Sequence, residues 1–447
     1  MAFGAGRRST SRAALRDLPG RDGFDELFHL LREPTRFFHV RFERYGRVFR
    51  SRLVYPCVFV VGEEANRTLL ITERASFSFG LGYAKSAVRH VFANSIMLQD
   101  GDAHARTREI LKPAVGRLAL KEAADSVHRI WSASVEQAAA RGADVYELAQ
   151  RTTFSVAANV LTGLELGRET DAIRPHFERL IQGIMAPLSV RIPFGRLDRA
   201  LRARAALERA LAPRVTAARQ REPRGLLGQL AHHRDEDGRE LAVGEIVEHL
   251  LLLAWAGYDT TASAASWMLH VLSQRPDWQA RLHDELRQSV GSDGAQLESS
   301  RDTPQLEWFL LEIERMYPSA LFFPRIALSN VEVAGHVLPQ GSVVFYTPYM
   351  SHRDPGSFDL PDAFDPERFS PSRGERRATP AQLFGFGGGP RVCLGKAFAK
   401  LQLKLAAHTV LSRYRIHADP TCRPSVVGLP VHHPVGSRIR LEPRGAA

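Results

Sequence analysis

Hydrophobic and polar positions divide the chain into long stretches with helical spacing and a few short β-branched runs. β-Branched residues gather between breakers over 48–53 and 58–61, around Pro56, which predicts strands there. Helical spacing follows over 63–71. Residues 76–102, with glycines, four aromatics and little periodicity, read as a long loop of the kind that carries function. Helical patterns then cover 103–140, 145–166, 171–182 and 197–220, with a proline- and glycine-bearing connector over 185–196. The longest uninterrupted segment is 243–274, which meets no proline before Pro276. At 1.5 Å per residue it would be about 48 Å long, and it is apolar on most faces, as a buried central helix should be.

Helices are predicted over 277–290 and 305–317, and strands over 325–333 and 342–346. A proline-rich meander over 354–384, a glycine-rich loop over 385–393, a helix over 394–411 and a strand pair complete the pattern. Helices outnumber strands, and the strands lie towards both ends of the sequence. The reading is a mainly α fold with a small β-rich lobe.

Composition narrows the function classes. The 447 residues allow two or three domains or one large unit, and 44% hydrophobic with 24% charged residues excludes a disordered or collagenous chain. No run reaches the roughly eighteen apolar residues of a membrane span, and the Arg/Ser-rich start lacks the apolar core of a signal peptide, so a cytoplasmic protein with a basic N-terminal tail is expected. The charge of +11 is carried by arginine, the only lysines being Lys85, Lys112, Lys121, Lys396, Lys400 and Lys404. Without a basic stripe interleaved with aromatics, nucleic acid ranks below an acidic protein partner or a compositional bias. Cys57, Cys393 and Cys422 are too few for a disulfide framework, so one of them is a candidate ligand or nucleophile.

The candidate is Cys393, in Phe386-Gly387-Gly388-Gly389-Pro390-Arg391-Val392-Cys393-Leu394-Gly395 ahead of an amphipathic helix. A helix N-terminus stabilises a thiolate, and the glycines permit a tight loop that exposes it. Rival readings are a phosphate loop, which lacks a closing Gly-Lys-Ser/Thr, a buried hydrophobic cysteine, and zinc, which lacks further ligands at suitable spacing.

Phe386, Gly389, Arg391, Cys393 and Gly395 match the fixed positions of the heme-binding loop of the cytochrome P450 heme-thiolate monooxygenases, and the chain resembles that family from about residue 36 to 443. Three further segments occur in the family's order. Glu312 and Arg315, three apart on one helix face, resemble the pair that locks with an arginine of the meander, here Arg368. Asp259-Thr260 resemble the acid–alcohol pair of the central helix; the plainer account is a Thr260 hydroxyl bonded back to the Ala256 carbonyl with Asp259 solvated. His104 and Arg108, four apart, resemble the residues that reach the heme carboxylates, with Arg325 and Arg391 completing the set by position and Lys112 less assured.

The resemblance implies the P450 fold, an α+β triangular prism around heme b, with residues 1–35 as tail and first helix and 36–447 as one heme domain. Its β-rich lobe would come from about 45–75 and 320–350, with C-terminal strands over 415–443. It implies a soluble, bacterial-type monooxygenase, active in secondary metabolism, that hydroxylates or epoxidises an apolar terpenoid, steroid, polyketide or fatty-acyl molecule. Cys393 would be the axial iron ligand, with Phe386 and Gly395 against the heme.

Electrons would come from a separate ferredoxin-type donor with its reductase, since this length leaves no room for a fused redox domain. Lys396, Lys400 and Lys404, at four-residue spacing, are candidates for its docking face. The substrate would meet Phe77, Phe79, Leu81 and Tyr83 from the long loop, Leu252 and Ala256 from the central helix, Leu321, Phe322 and Phe323 before Arg325, and Leu429. A peroxide-driven peroxygenase on the same fold and a non-catalytic heme-binding protein remain as alternatives; the acid–alcohol pair speaks against both.

Overall fold

Alternation of large and β-branched residues builds the sheet. Phe49, Phe59 and Phe345 are opposite one another in three neighbouring strands, and their rings stack at 5.4 and 5.1 Å. The intervening Val58, Val60, Val344 and Tyr346 point to the other face and enter a separate core. Side chains alternate across a strand, so one sheet feeds two cores. Each fully buried phenylalanine contributes roughly 1.5–3 kcal/mol of apolar burial.

The computed structural model describes residues 15–184, 190–235, 237–289, 303–373, 379–429 and 431–445. The connector expected over 185–196 and the meander over 354–384 therefore lie partly outside the described residues, as does most of the N-terminal tail. The chain gathers into two units. The first comprises Met1–Tyr83, Leu311–Cys393 and Val427–His432; the second comprises Ala84–Leu310, Leu394–Val426 and His433–Ala447.

In the first unit the five strands lie in the order Val48–Arg52, Pro56–Val60, Val343–Tyr346, Phe323–Ala327, Phe77–Ser78. Pro56 is the first residue of its strand, where a missing N–H is tolerated. The single strand predicted over 325–333 is two. Phe323–Ala327 joins the sheet, while Val331–Val333 pairs with His336–Leu338 in a hairpin. Both residues at its tip, Ala334 and Gly335, have positive φ, the turn that matches strand twist.

The second unit is built on the helix Val243–Gln274, whose bounds are those predicted. Its first turn is closed by the Glu245 carboxylate, which accepts from the Ala242 N–H at 2.7 Å, and it ends before Pro276. It packs on Val145–Val156, Arg196–Ala218 and Lys396–Leu411. Asp144 starts the first of these by accepting from the N–H groups of Tyr146 and Glu147. The long helix predicted over 103–140 is broken at Pro113–Val115 into Gly101–Leu111 and Arg117–Arg141, because proline removes a helical hydrogen bond and clashes with the preceding turn. A short helix at Gly225–Ala231 was not predicted.

Candidate functional site

The loop from Gly385 to Cys393 folds on itself. Gly387 accepts no strain at φ +73°, and Gly389, at φ +59°, lies so close to the Leu70 carbonyl that a Cβ would sit 2.2 Å from it. Only glycine fits there. The Cys393 N–H donates to the Phe386 carbonyl at 2.7 Å, and the Cys393 side chain is exposed, unlike buried Cys57, whose thiol burial pushes up to about 12. Exposure and a turned backbone are what a presented sulfur needs.

Behind the loop lies a buried charge network. Arg315 donates to both oxygens of Glu312 at 2.8 Å and to the carbonyls of His352, Pro361 and Ala363. Arg368 donates to Glu312 at 3.3 Å and to the Asp359 carbonyl. Glu312 and Arg315 are wholly buried. The helix end is thereby strapped to the meander. His352 continues the strap: the Phe384 N–H donates to its Nε2 at 3.1 Å, and its Nδ1 lies 3.2 Å from the Arg315 carbonyl. Burial, reinforced by Arg315, lowers the His352 pKa to about 3. The neutral ring thus accepts with one nitrogen and donates with the other.

Two arginines meet on one ring. The guanidiniums of Arg325 and Arg391 lie 4.6 and 4.8 Å from the centre of Phe79, and Arg325 is also 4.9 Å from Tyr346. Arg325 is 3% exposed. Its hydrogen bonds go to the Pro324 carbonyl and the Tyr346 hydroxyl, and among the described residues no carboxylate pairs with it. A buried cation without a counter-ion is costly, so the donor set fits an anionic group such as a heme carboxylate. At Gly395 a Cβ would meet, among the described residues, no atom within 4 Å beyond its own chain neighbours and helix backbone. The protein's own packing does not demand glycine there.

In the second unit the central helix is buried along most of its length but exposes Ala256 and Thr260, one turn apart. The Thr260 hydroxyl donates to the Ala256 carbonyl at 2.6 Å, the back-bond of the plainer account. Asp259 departs from that account because it is buried, 8% exposed. One of its oxygens, Oδ1, accepts from the Tyr146 hydroxyl at 3.2 Å and from Gln150 Nε2 at 3.3 Å. Burial raises the Asp259 pKa, against the hydrogen bonds from Gln150 and Tyr146 and the charge of His433. Tyr146 is stacked on His433 with ring centres 3.6 Å apart. His104 is buried on Gly101–Leu111 and Arg108 is half-buried four residues on, whereas Lys112 is exposed and paired with Glu109.

The reading of Lys400 and Lys404 as free docking charges is corrected. Lys400 and Lys404 both pair with Glu307, and Lys404 is 4% exposed with its pKa lowered by burial. Neither offers a free charge to a partner. Of the residues expected to meet substrate, Phe77, Leu252 and Leu321 are buried. Phe79, Tyr83, Phe322, Phe323 and Leu429 keep partial exposure and Leu81 is half exposed, all in the first unit. Sequence reasoning missed Tyr146, Gln150 and His433. The only signal was a tyrosine and a glutamine four apart on an otherwise apolar helix face.

Among the described residues no helix is long and apolar enough to cross a membrane. The family model described as Cytochrome P450 matches residues 26–430. Cytochrome P450 26B1 of Xenopus tropicalis is 29% identical over 92% of this chain and 82% of its own length. A putative cytochrome P450 120 of Synechocystis is 30% identical over 84% of each chain. In structure, the chain superimposes on retinoic acid-bound cyanobacterial CYP120A1 with a TM-score of 0.85 at 28% identity, covering 96% of this chain and all of that one.

Proposed function

The chain belongs to the cytochrome P450 family of heme b monooxygenases, and from that premise we propose that it takes electrons from a separate ferredoxin-type donor to oxygenate an apolar isoprenoid. Retinoic acid, bound by the cyanobacterial neighbour, is an isoprenoid acid, which favours the terpenoid class over steroid, polyketide and fatty-acyl molecules. Hydroxylation or epoxidation is the expected outcome. The charge of +11 favours an acidic donor, docking elsewhere than on the lysines held by Glu307.

The observation that carries the oxygenase reading is Asp259, a buried acid held by neutral donors beside exposed Thr260. Bound heme supplies oxygen activation, with thiolate donation favouring O–O cleavage. The residues do the rest. Cys393 Sγ holds the iron, and Arg325 and Arg391, with His104 and Arg108 by motif, hold the carboxylates. Phe386 and Gly395 are assigned to the heme face by the same motif. Burial raises the Asp259 pKa, which favours its protonated form relative to an exposed carboxyl and suits it to deliver a proton. The Thr260 hydroxyl, donating to Ala256, retains lone pairs that accept a proton-bearing partner. Phe79, Leu81, Tyr83, Phe322, Phe323 and Leu429 give substrate an apolar surface.

The test is spectral titration of the ferric protein with retinoic acid, a cyclic terpene, a steroid, a macrolide precursor and a fatty acid, followed by product formed per reductant oxidised. The isoprenoids should displace the iron's water at the lowest concentration. Preferential binding of another class would overturn the substrate assignment, and an unchanged product ratio in both Thr260→Ala and Asp259→Asn would remove the pair from the chemistry.

A further inference from the structure

Asp259 is held from one side by a wall that belongs to two other elements. Tyr146 and Gln150 project from successive turns of Val145–Val156, and His433 comes from the strand His433–Val435. Both donors converge on the same carboxylate oxygen, and Gln150 Nε2 also lies 3.4 Å from the Tyr146 hydroxyl. A phenol on a free side chain would wander. Here its ring is clamped against the His433 imidazole at 3.6 Å with the planes 15° apart, and its helix is the one packed most extensively on the central helix.

We propose that Tyr146, braced by His433, is a positioning residue for Asp259: it pins Oδ1 against Val145–Val156 and sets the acidity of the carboxyl, leaving the other oxygen to exchange the proton. The inference rests on the reading of Asp259 as the acid of the reaction. A hydroxyl that donates to a carboxylate favours the charged form, so it opposes the upward push of burial. Tyr146 itself stays a donor, because burial and the neighbouring Asp259 raise its own pKa.

Other groups around the carboxyl are few. Tyr258, on the same helix, contacts Phe154 and Phe177 and feels Arg174 and Glu178 of Arg168–Ile184. Among the described residues, those acting on Asp259 are Gln150, Tyr146 and His433. No guanidinium or ammonium takes the role that Arg315 plays for Glu312. Two neutral donors therefore act on the carboxyl beside the charge of His433, and the loss of either donor has a defined sign.

The experiment follows the carboxyl infrared band of Asp259 through a pH titration of the heme-loaded ferric protein, the band being assigned by its loss in Asp259→Asn. Tyr146→Phe keeps the ring and its stack but removes the donor. It should raise the titration midpoint by about one pH unit and move the alkaline limb of the turnover profile, where an essential acid loses its proton, the same way. Gln150→Leu should raise it also, by less. A midpoint unmoved in Tyr146→Phe overturns the proposal, even if the variant melts at lower temperature. A shifted midpoint together with wild-type product yield in Asp259→Asn would keep the positioning and reject Asp259 as the acid.

Discussion

Glu312 and Asp259 are both buried carboxylates, and the molecule treats them in opposite ways. Glu312 receives two guanidiniums and the Asp365 N–H; Asp259 receives a phenol and an amide. Charge pairs need several bonds in fixed geometry before they offset desolvation, and the Arg315 fork, with its further carbonyl contacts, meets that demand. The result is a rigid strap behind the loop that carries Cys393. The donors around Asp259, with the charge of His433, compensate less, so burial still raises its pKa. Burial of an acid thus makes a scaffold where guanidiniums are supplied and leaves the carboxyl with a raised pKa where neutral donors predominate.

Breaking the scaffold gives the largest expected effect. Glu312→Ala leaves Arg315 buried without a counter-ion and should cost about 3–5 kcal/mol, read as an earlier urea midpoint and weak heme retention. Asp259→Asn, whose amide oxygen still accepts from Tyr146, should unfold within about 1 kcal/mol of wild type. Equal losses in the two variants would erase the contrast.

The pH dependence sharpens it, because the two regions titrate with opposite sign. His352 has its pKa lowered from 6.5 to about 3. The unfolded chain binds that proton first, so its contribution to stability is present above about pH 6.5 and drains away as pH falls towards 3. Asp259 has its pKa raised, so the folded state binds that proton first. Its burial penalty is in force above its folded pKa and is relieved as pH falls towards the ordinary carboxylate range. His352→Gln, neutral and able to keep both hydrogen bonds, should flatten the loss of stability between about pH 6 and pH 4. Asp259→Asn should gain on wild type at high pH and lose that gain on acidification. Parallel curves for either variant and wild type would reject the corresponding assignment.

A smaller effect is expected at Lys400. With Glu307 as its partner, Lys400→Ala should cost on the order of 1 kcal/mol and leave the salt dependence of electron delivery as in wild type. A steep change in that dependence would return the lysines to a docking role.

What the sequence revealed follows from how local each signal is. The bounds of Val243–Gln274 were legible because an apolar run, a Glu245 cap and Pro276 are all short-range signals. The break at Pro113 was equally local and was passed over because periodicity on either side looked continuous. The spacing of Lys396, Lys400 and Lys404 was visible, but Glu307, nearly a hundred residues away, was not. Tyr146 meets Asp259 across 113 positions, a pairing fixed by helix packing that no spacing rule reports. The Glu312–Arg315 pair was readable as neighbours on a helix. Its junction with His352 and Phe384 was not, because neither contact is local.

The account depends first on one sulfur being presented to iron. In the reduced protein under carbon monoxide, the account predicts a strongly red-shifted Soret band that persists in Cys57→Ala and Cys422→Ala and disappears in Cys393→His while heme stays bound. Survival of that band in Cys393→His would contradict it.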